Sequence, residues 1–369
     1  MIVQTVLGVI FMSNVTKVSL TAVIIGSSLW LSGCGLFGGD ENKSQIDPPK
    51  DVSLVEDEQA LDEKSEESAA KKEGKEEASE ETVKTELYLI DKNGYVVPQT
   101  LDLPKSEAVA KQALDYLVEN GPVSNILPNG FRAVIPADTQ ISVNIKDGTA
   151  VADFSPEFKN YKKEDEQKIL QSITWTLTQF DAVEKVQLRL NGEDMAEMPV
   201  GGTPISENMT RTSGINIDTS DVADITNTKA LTVYFLGGEE GNYYYVPVTR
   251  RVSQTDENNV TAAVEELVKG PSHSSQLQTG FMSDVALLTE PEVSEGKVTL
   301  NFNESLLGSF KEKKVSQDVL DALVLSLTEQ EGIESVEVQV DGSAKLLNED
   351  GKNLSEPVSR PEKVNTGSY

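Results

Sequence analysis

Thr85-Glu86-Leu87-Tyr88-Leu89 is followed, across a short polar stretch, by Tyr95-Val96-Val97-Pro98, and the arrangement returns at Leu231-Thr232-Val233-Tyr234-Phe235 and Tyr244-Tyr245-Val246-Pro247. Each pair of runs is rich in β-branched and aromatic residues with turn formers between them, which is the pattern of a β-hairpin. In the first copy Asn93-Gly94 joins the runs, and that dipeptide predicts a tight type I′ turn, whose two central residues need positive φ. Two hairpins opened in the same way so far apart point to an internal duplication.

The correspondence continues downstream. Leu117-Val118-Glu119-Asn120-Gly121-Pro122 answers to Leu267-Val268-Lys269-Gly270-Pro271, and Gly130-Phe131 to Gly280-Phe281. Gly148 through Asp153-Phe154 parallels Gly296 through Asn301-Phe302; Leu177-Thr178, Val183, Val186 and Asn191-Gly192 parallel Leu327-Thr328, Ile333, Val336 and Asp341-Gly342. Order, spacing and residue type agree along the whole unit, so the chain carries two homologous domains.

Within a unit the periodicities are mixed. Ala110, Ala113, Leu114 and Leu117 recur at helical steps after a candidate cap at Ser106, and Gly121-Pro122 ends the run; the partner helix is expected from about Asn258 to Val268. Ile141, Val143 and Ile145 alternate, turn at Asp147-Gly148, and alternate again at Ala150, Ala152 and Phe154. A second helix carries Ile169, Ile173, Leu177 and Phe180, echoed by Val319, Leu323 and Leu327, and leads into strands Val186–Leu190 and Val336–Val340. The expected class is α+β: two tandem domains, each a small, largely antiparallel sheet with two helices packed on one face. Domain boundaries fall at 85–198 and 230–348, with 199–229 as a connector and 349–369 as a polar tail. Tyr88, Tyr234, Tyr95 and Tyr244 are expected to pack the sheets.

Ahead of the first domain, residues 34–84 are an acidic stretch lacking Phe, Tyr and Trp after Gly38, with too little apolar surface to order itself, and read as a tether. Before it, Lys17 and the apolar run Val18–Leu31 make a signal peptide over 1–33, and translation starting at Met12 would tidy its basic end. Leu31-Ser32-Gly33-Cys34 matches a bacterial lipobox. Cys34 is therefore the expected lipidation site, carrying S-diacylglycerol and an N-acyl group, and the mature chain is expected to hang from a membrane.

With 61 acidic against 32 basic side chains and a net charge of −29, the chain repels phosphate backbones, so nucleic acid is not an expected partner. Cys34 and His273 are the single residues of their kinds, which excludes internal disulfides and most Cys- or His-based catalysis. His273 has no counterpart in the first unit and reads as a surface residue. Asp153 with Glu157, and Glu193 with Asp194, are conceivable acid–base pairs, but Asp153 aligns with Asn301. Gly201-Gly202 and Gly237-Gly238 lack the spacing of phosphate loops. No catalytic, cofactor or metal residue is assigned.

The tyrosine-bearing strand, the Val-Pro that closes the hairpin, the helix ending Leu-Val before Gly-Pro, the Gly-Phe pair and the Leu-Thr helix resemble the GerMN domain family, in tandem over 86–198 and 230–348. The two copies depart from each other at residues added around Gly238-Glu239-Glu240 and at the loss of a residue like Pro136. The resemblance implies a fold akin to the ring-building motifs of secretion systems and a non-enzymatic role in sporulation and spore germination. It further implies a location on the outer forespore membrane, facing the intermembrane space, and protein partners with similar domains in a channel complex. An envelope enzyme acting on peptidoglycan and a ligand-binding lipoprotein stay open as alternatives; a two-lobed solute binder is disfavoured by a connector of about thirty residues, long for a loop.

Overall fold

The computed structural model describes residues 81–220, 227–254, 258–309 and 311–367. The first repeat runs β1 (Thr82–Asp91), β2 (Val96–Pro104), α1 (Val109–Asp115), β3 (Phe131–Arg132), β4 (Ile141–Lys146), β5 (Thr149–Phe154), α2 (Glu166–Leu177), β6 (Lys185–Leu190) and β7 (Glu193–Asp194). β1 and β2 form a hairpin in unbroken register from Thr82↔Pro104 to Ile90↔Val96, and β3 adds to the outside of β1. The second sheet has the order β4-β5-β6-β7, and its central pair β5/β6 is parallel. That pair follows from connectivity: a helix between two strands of one sheet carries the chain back to its starting edge.

The second repeat repeats the plan with β8 (Thr228–Glu239), β9 (Asn242–Ser253), α3 (Asn259–Lys269), β10 (Glu292–Ser294), β11 (Lys297–Phe302), β12 (Leu307–Ser309), β13 (Lys314–Val315), α4 (Gln317–Thr328), β14 (Ser335–Val340) and β15 (Val358–Ser359). β8 and β9 are the hairpin, and the sheet order is β10-β11-β14-β15 with β11/β14 parallel. Both repeats have a 3-10 turn soon after the parallel strand, at Pro156–Lys159 and Glu304–Leu306, and the small β12–β13 hairpin then leads into α4 where the first repeat has a second 3-10 turn at Lys163–Asp165. The α+β class and the two repeated domains stand, with each repeat dividing its strands between a hairpin and a mixed sheet.

α2 and α4 are buried on more than one side. Ile169, Ile173 and Leu177 are fully buried, as the periodicity predicts, and Leu170, Thr174, Trp175 and Thr176 are buried as well. The reason is that α2 packs against both β1 of the hairpin and β6 of the sheet, so it is the middle layer of the repeat. A helix covered on several sides cannot keep a polar face. One apolar cluster then continues from the first repeat into the second, from Leu87 through Trp175 to Val233 and Leu354.

Three local expectations change. Ser106 does not cap α1: the helix starts after Ala108, and the Ser106 hydroxyl accepts from the Ala108 N–H at 3.1 Å. The Asn93-Gly94 turn is a four-residue loop because the Asp91 carboxylate accepts from the N–H groups of Asn93 (2.9 Å) and Tyr95 (2.8 Å), leaving only Gly94 at positive φ. The two-residue turns with paired positive φ occur instead at Asp147-Gly148, Asn191-Gly192, Glu295-Gly296 and Asp341-Gly342. Finally, the segments read as connector and tail are built into the body, since Met209, Ile215 and Val364 are all buried.

Candidate interaction site

Cys34 lies outside the described residues, as do the signal peptide and most of the tether. Of the conceivable acid–base residues, Asp153 and Asp194 fall in one cross-strand row on either side of Arg189, while Glu157 lies apart in sequence on the 3-10 turn Pro156–Lys159. Asp153 accepts from the Gly192 N–H at 3.0 Å, and Asn301 accepts from the Gly342 N–H at 2.8 Å, so the two equivalent residues do the same work at a hairpin turn and need only an acceptor oxygen. Glu157, Glu193 and Asp194 are exposed, Asp194 pairing with Arg189. His273 is exposed in the loop after α3. Gly237 lies under the Tyr244 ring, where a Cβ would come within 2.7 Å of it. That ring packs edge-on against Phe131 at 5.3 Å, and its hydroxyl donates to Asp91 at 2.7 Å, across the repeats. Among the described residues no group of three or more His, Cys, Asp or Glu is placed to hold a metal ion, and no helix is long and apolar enough to cross a membrane.

What the tertiary structure does assemble is a junction between the repeats. β2 and β9 are the outer strands of their hairpins and lie against each other. Pro98 and Pro247 deprive both edges of an N–H donor, so a continuous ladder is impossible there. Two asparagines take its place. Asn216 accepts from the Val96 N–H and donates to the carbonyls of Val96 and Pro247, at 2.7–2.8 Å. Asn365 accepts from the Tyr245 N–H and donates to the carbonyls of Tyr245 and Pro98, all at 2.8 Å. The two strands thus pass antiparallel around an approximate two-fold axis, with buried Val97 and Val246 at its centre.

Each asparagine sits on an arm that leaves its own repeat and joins the other. The first arm touches β6 at Met209 and then exchanges hydrogen bonds between Ile215 and Thr249 of β9. The second touches β14 at Val358 and exchanges the same bonds between Val364 and Thr100 of β2. Arm exchange of this kind joins the repeats into one compact unit rather than two beads on a linker.

The arms also carry Arg211 and Arg360 into a shared charge cluster. Arg211 clasps Glu329 through two bonds of 2.8 and 2.9 Å and covers the Trp175 ring at 4.5 Å. Arg360 reaches Glu329 at 3.2 Å and Glu86 at 3.5 Å and lies over Tyr234. Two cations face two carboxylates, which is how buried charge is tolerated. Burial pulls the Glu329 carboxyl upward, but Arg211 and Arg360 prevail and hold it below the usual carboxylate range. Burial pushes the Tyr88 and Tyr234 hydroxyls up, so both stay protonated.

A further anchor is Glu166, first residue of α2 and almost fully buried. Its carboxylate accepts from the hydroxyls of Thr203 (2.6 Å) and Tyr161 (2.9 Å) and from the N–H groups of Gly201 and Thr203. Burial alone would raise its pKa; these donors, led by Thr203, bring it down to about 2. On the side of Tyr95 the repeats enclose an open cleft of about 370 Å³, lined by Tyr95, Lys168, Gln171, Asn216, Asp218 and Phe235. Sheet edges face outward at β4, with Ile145 exposed, and at β10, with Val293 exposed.

Sequence reasoning missed the arms. A signal was present: Arg211 to Asn216 and Arg360 to Asn365 share Arg, then three residues, then Ile or Val, then Asn. It went unread because both lie in stretches rich in turn formers and lacking periodicity.

A family profile described as Germane, sporulation and spore germination, matches residues 86–196 and 232–346. The chain is 56% identical over 358 residues to the spore germination protein GerM of Bacillus subtilis (strain 168), covering 94% of this chain and 97% of that one. A solved structure of the tandem GerMN domains of the sporulation protein GerM from B. subtilis matches with a TM-score of 0.74 at 60% identity, over 78% of this chain and 100% of that chain. A structure of the first GerMN domain of the same protein is 74% identical over 35% of this chain and 98% of that one, with a TM-score of 0.35.

Proposed function

The chain belongs to the Germane family of sporulation and spore germination proteins, and from that premise we propose that it is a non-enzymatic lipoprotein scaffolding an envelope complex of the sporulating cell. In this reading Cys34 carries the lipid, the acidic stretch spaces the folded part from the outer forespore membrane, and the tandem domains engage channel-complex proteins of similar fold in the intermembrane space. The observation that carries the reading is the reciprocal arm exchange. It spends the connector and the tail on rigidity and leaves the sheet edges β4 and β10 turned outward, as suits a spacer that meets other proteins along its edges. Of the singled-out carboxylates, Asp153 is occupied in a turn and Asp194 in a surface pair, which lends no support to catalysis.

The cleft of about 370 Å³ between the repeats favours a second reading, a lipoprotein that binds an envelope ligand. Crosslinking and affinity capture of the full chain from sporulating cells separates the two. Recovery of channel-complex proteins from the membrane fraction, lost with Cys34→Ala, is the expected result. Recovery of peptidoglycan fragments without such proteins would move the assignment to the second reading.

A further inference from the structure

The repeats differ most between the first helix and the mixed sheet. In the first repeat the segment after β3 folds back on the end of α1: the Leu117 carbonyl accepts from the N–H groups of Val134 (3.0 Å) and Ile135 (2.9 Å), and the Glu119 N–H donates to Ile135 (2.8 Å). β4 then pairs with β5 without interruption from Ile141↔Phe154 to Lys146↔Thr149. In the second repeat the Leu267 carbonyl takes the Thr279 hydroxyl at 2.7 Å, and the following segment joins β11 instead of α3. Leu287 pairs with Phe302, the Leu288 N–H donates to Asn301 at 2.7 Å, and the ladder resumes only at Glu292↔Thr299.

Four residues, Leu288 to Pro291, therefore oppose two on β11, and the excess bulges outward. The cause lies in the sequence: Phe281 to Gly296 is two residues shorter than Phe131 to Gly148, too short to reach the helix end and complete the strand, and Pro291 has no N–H to pair. What opens is an apolar groove of about 610 Å³ between α3 and this segment, lined by Val264, Val268, Leu287, Leu288 and Pro291. Leu288 is 50% exposed and Val293, just beyond, 52%. Glu265 and Glu290 line the groove and Glu292 follows, all exposed, against the single Lys269.

We propose that this groove docks a short apolar segment of a partner protein flanked by Lys or Arg. Its volume suits roughly two or three large apolar side chains, within the range of ordinary binding pockets. The carboxylates at its rim select the flanks, and they disfavour a second copy of a chain whose net charge is −29. The inference stands apart from the scaffold reading: a chain that holds such segments yet captures no envelope protein would sink that reading alone.

The test is selection of random displayed peptides on the immobilised full chain, with counter-selection on Leu288→Asp, a half-exposed position, the fold of the variant being checked against the native chain by circular dichroism. The expected peptides carry paired Leu, Ile, Val or Phe beside Lys or Arg, bind Leu288→Asp at least ten-fold more weakly, and weaken as salt rises. A Glu265→Lys/Glu290→Lys variant should turn the selection toward acidic flanks. Peptides indifferent to Leu288, no enrichment at all, or a dimer in sedimentation that Leu288→Asp dissolves would each overturn the proposal.

Discussion

Asn216 and Asn365 stand 149 residues apart and make the same three hydrogen bonds, each pinning one hairpin edge to the other, and both adopt positive φ, at 46° and 55°. No other residue type combines a side-chain acceptor and donor of that reach with tolerance for the left-handed region.

Asn216→Ala or Asn365→Ala should each cost about 2–3 kcal/mol, because backbone groups on both hairpins lose their partners. Asn216→Asp should cost more than Asn216→Ala, since a carboxylate would face the Val96 and Pro247 carbonyls that the amide now bonds. Urea unfolding checks the order; an Asp variant as stable as the native chain would remove the bridging role. Since one core spans both repeats, the native chain should unfold in a single transition.

Glu329→Gln should cost about 3 kcal/mol by leaving Arg211 and Arg360 without their shared anion. A double-mutant cycle with Arg360→Met should give a coupling of roughly 1–3 kcal/mol. A coupling near zero would mean that the cluster does not act as a unit.

Glu166 predicts a specific acid response. Its folded-state pKa of about 2 lies below the ordinary 4.5, so its contribution is complete above about pH 4.5 and is lost as the pH falls toward 2. Glu166→Gln should be less stable at pH 7 and should flatten the decline between those values, measured as the urea midpoint at pH 7, 4.5 and 3. An unchanged slope would rule out the carboxylate as the anchor of residues 201–203.

Asp153→Asn should leave stability within about 0.5 kcal/mol and sporulation intact, because Asn301 already does the same work in the second repeat; Asp153→Ala should lose about 1 kcal/mol with the turn bond. Loss of function in Asp153→Asn at unchanged stability would reopen the catalytic reading.

The duplication and the helices were legible because side chains with period 2 or 3.6 recur in the same order in both copies: Tyr88 and Tyr234, Leu177 and Leu327 are core residues in both. The hairpin turn was misread because Asp91, outside the Asn-Gly dipeptide, sets the loop with its own carboxylate. The groove beside α3 was not legible, since a loop shortened by two residues looks the same in sequence whether it closes on the helix or on the strand.

The sequence by itself determined the repeat, the α+β class and the likeness to the family, because burial of an apolar face is written locally in the spacing of Leu, Ile, Val and aromatic residues. How the repeats join was decided only by the tertiary structure. An arm held by one asparagine and a shared arginine cluster needs no apolar period, and its partners, Val96 with Pro247 and Pro98 with Tyr245, become neighbours only when two distant strand edges meet.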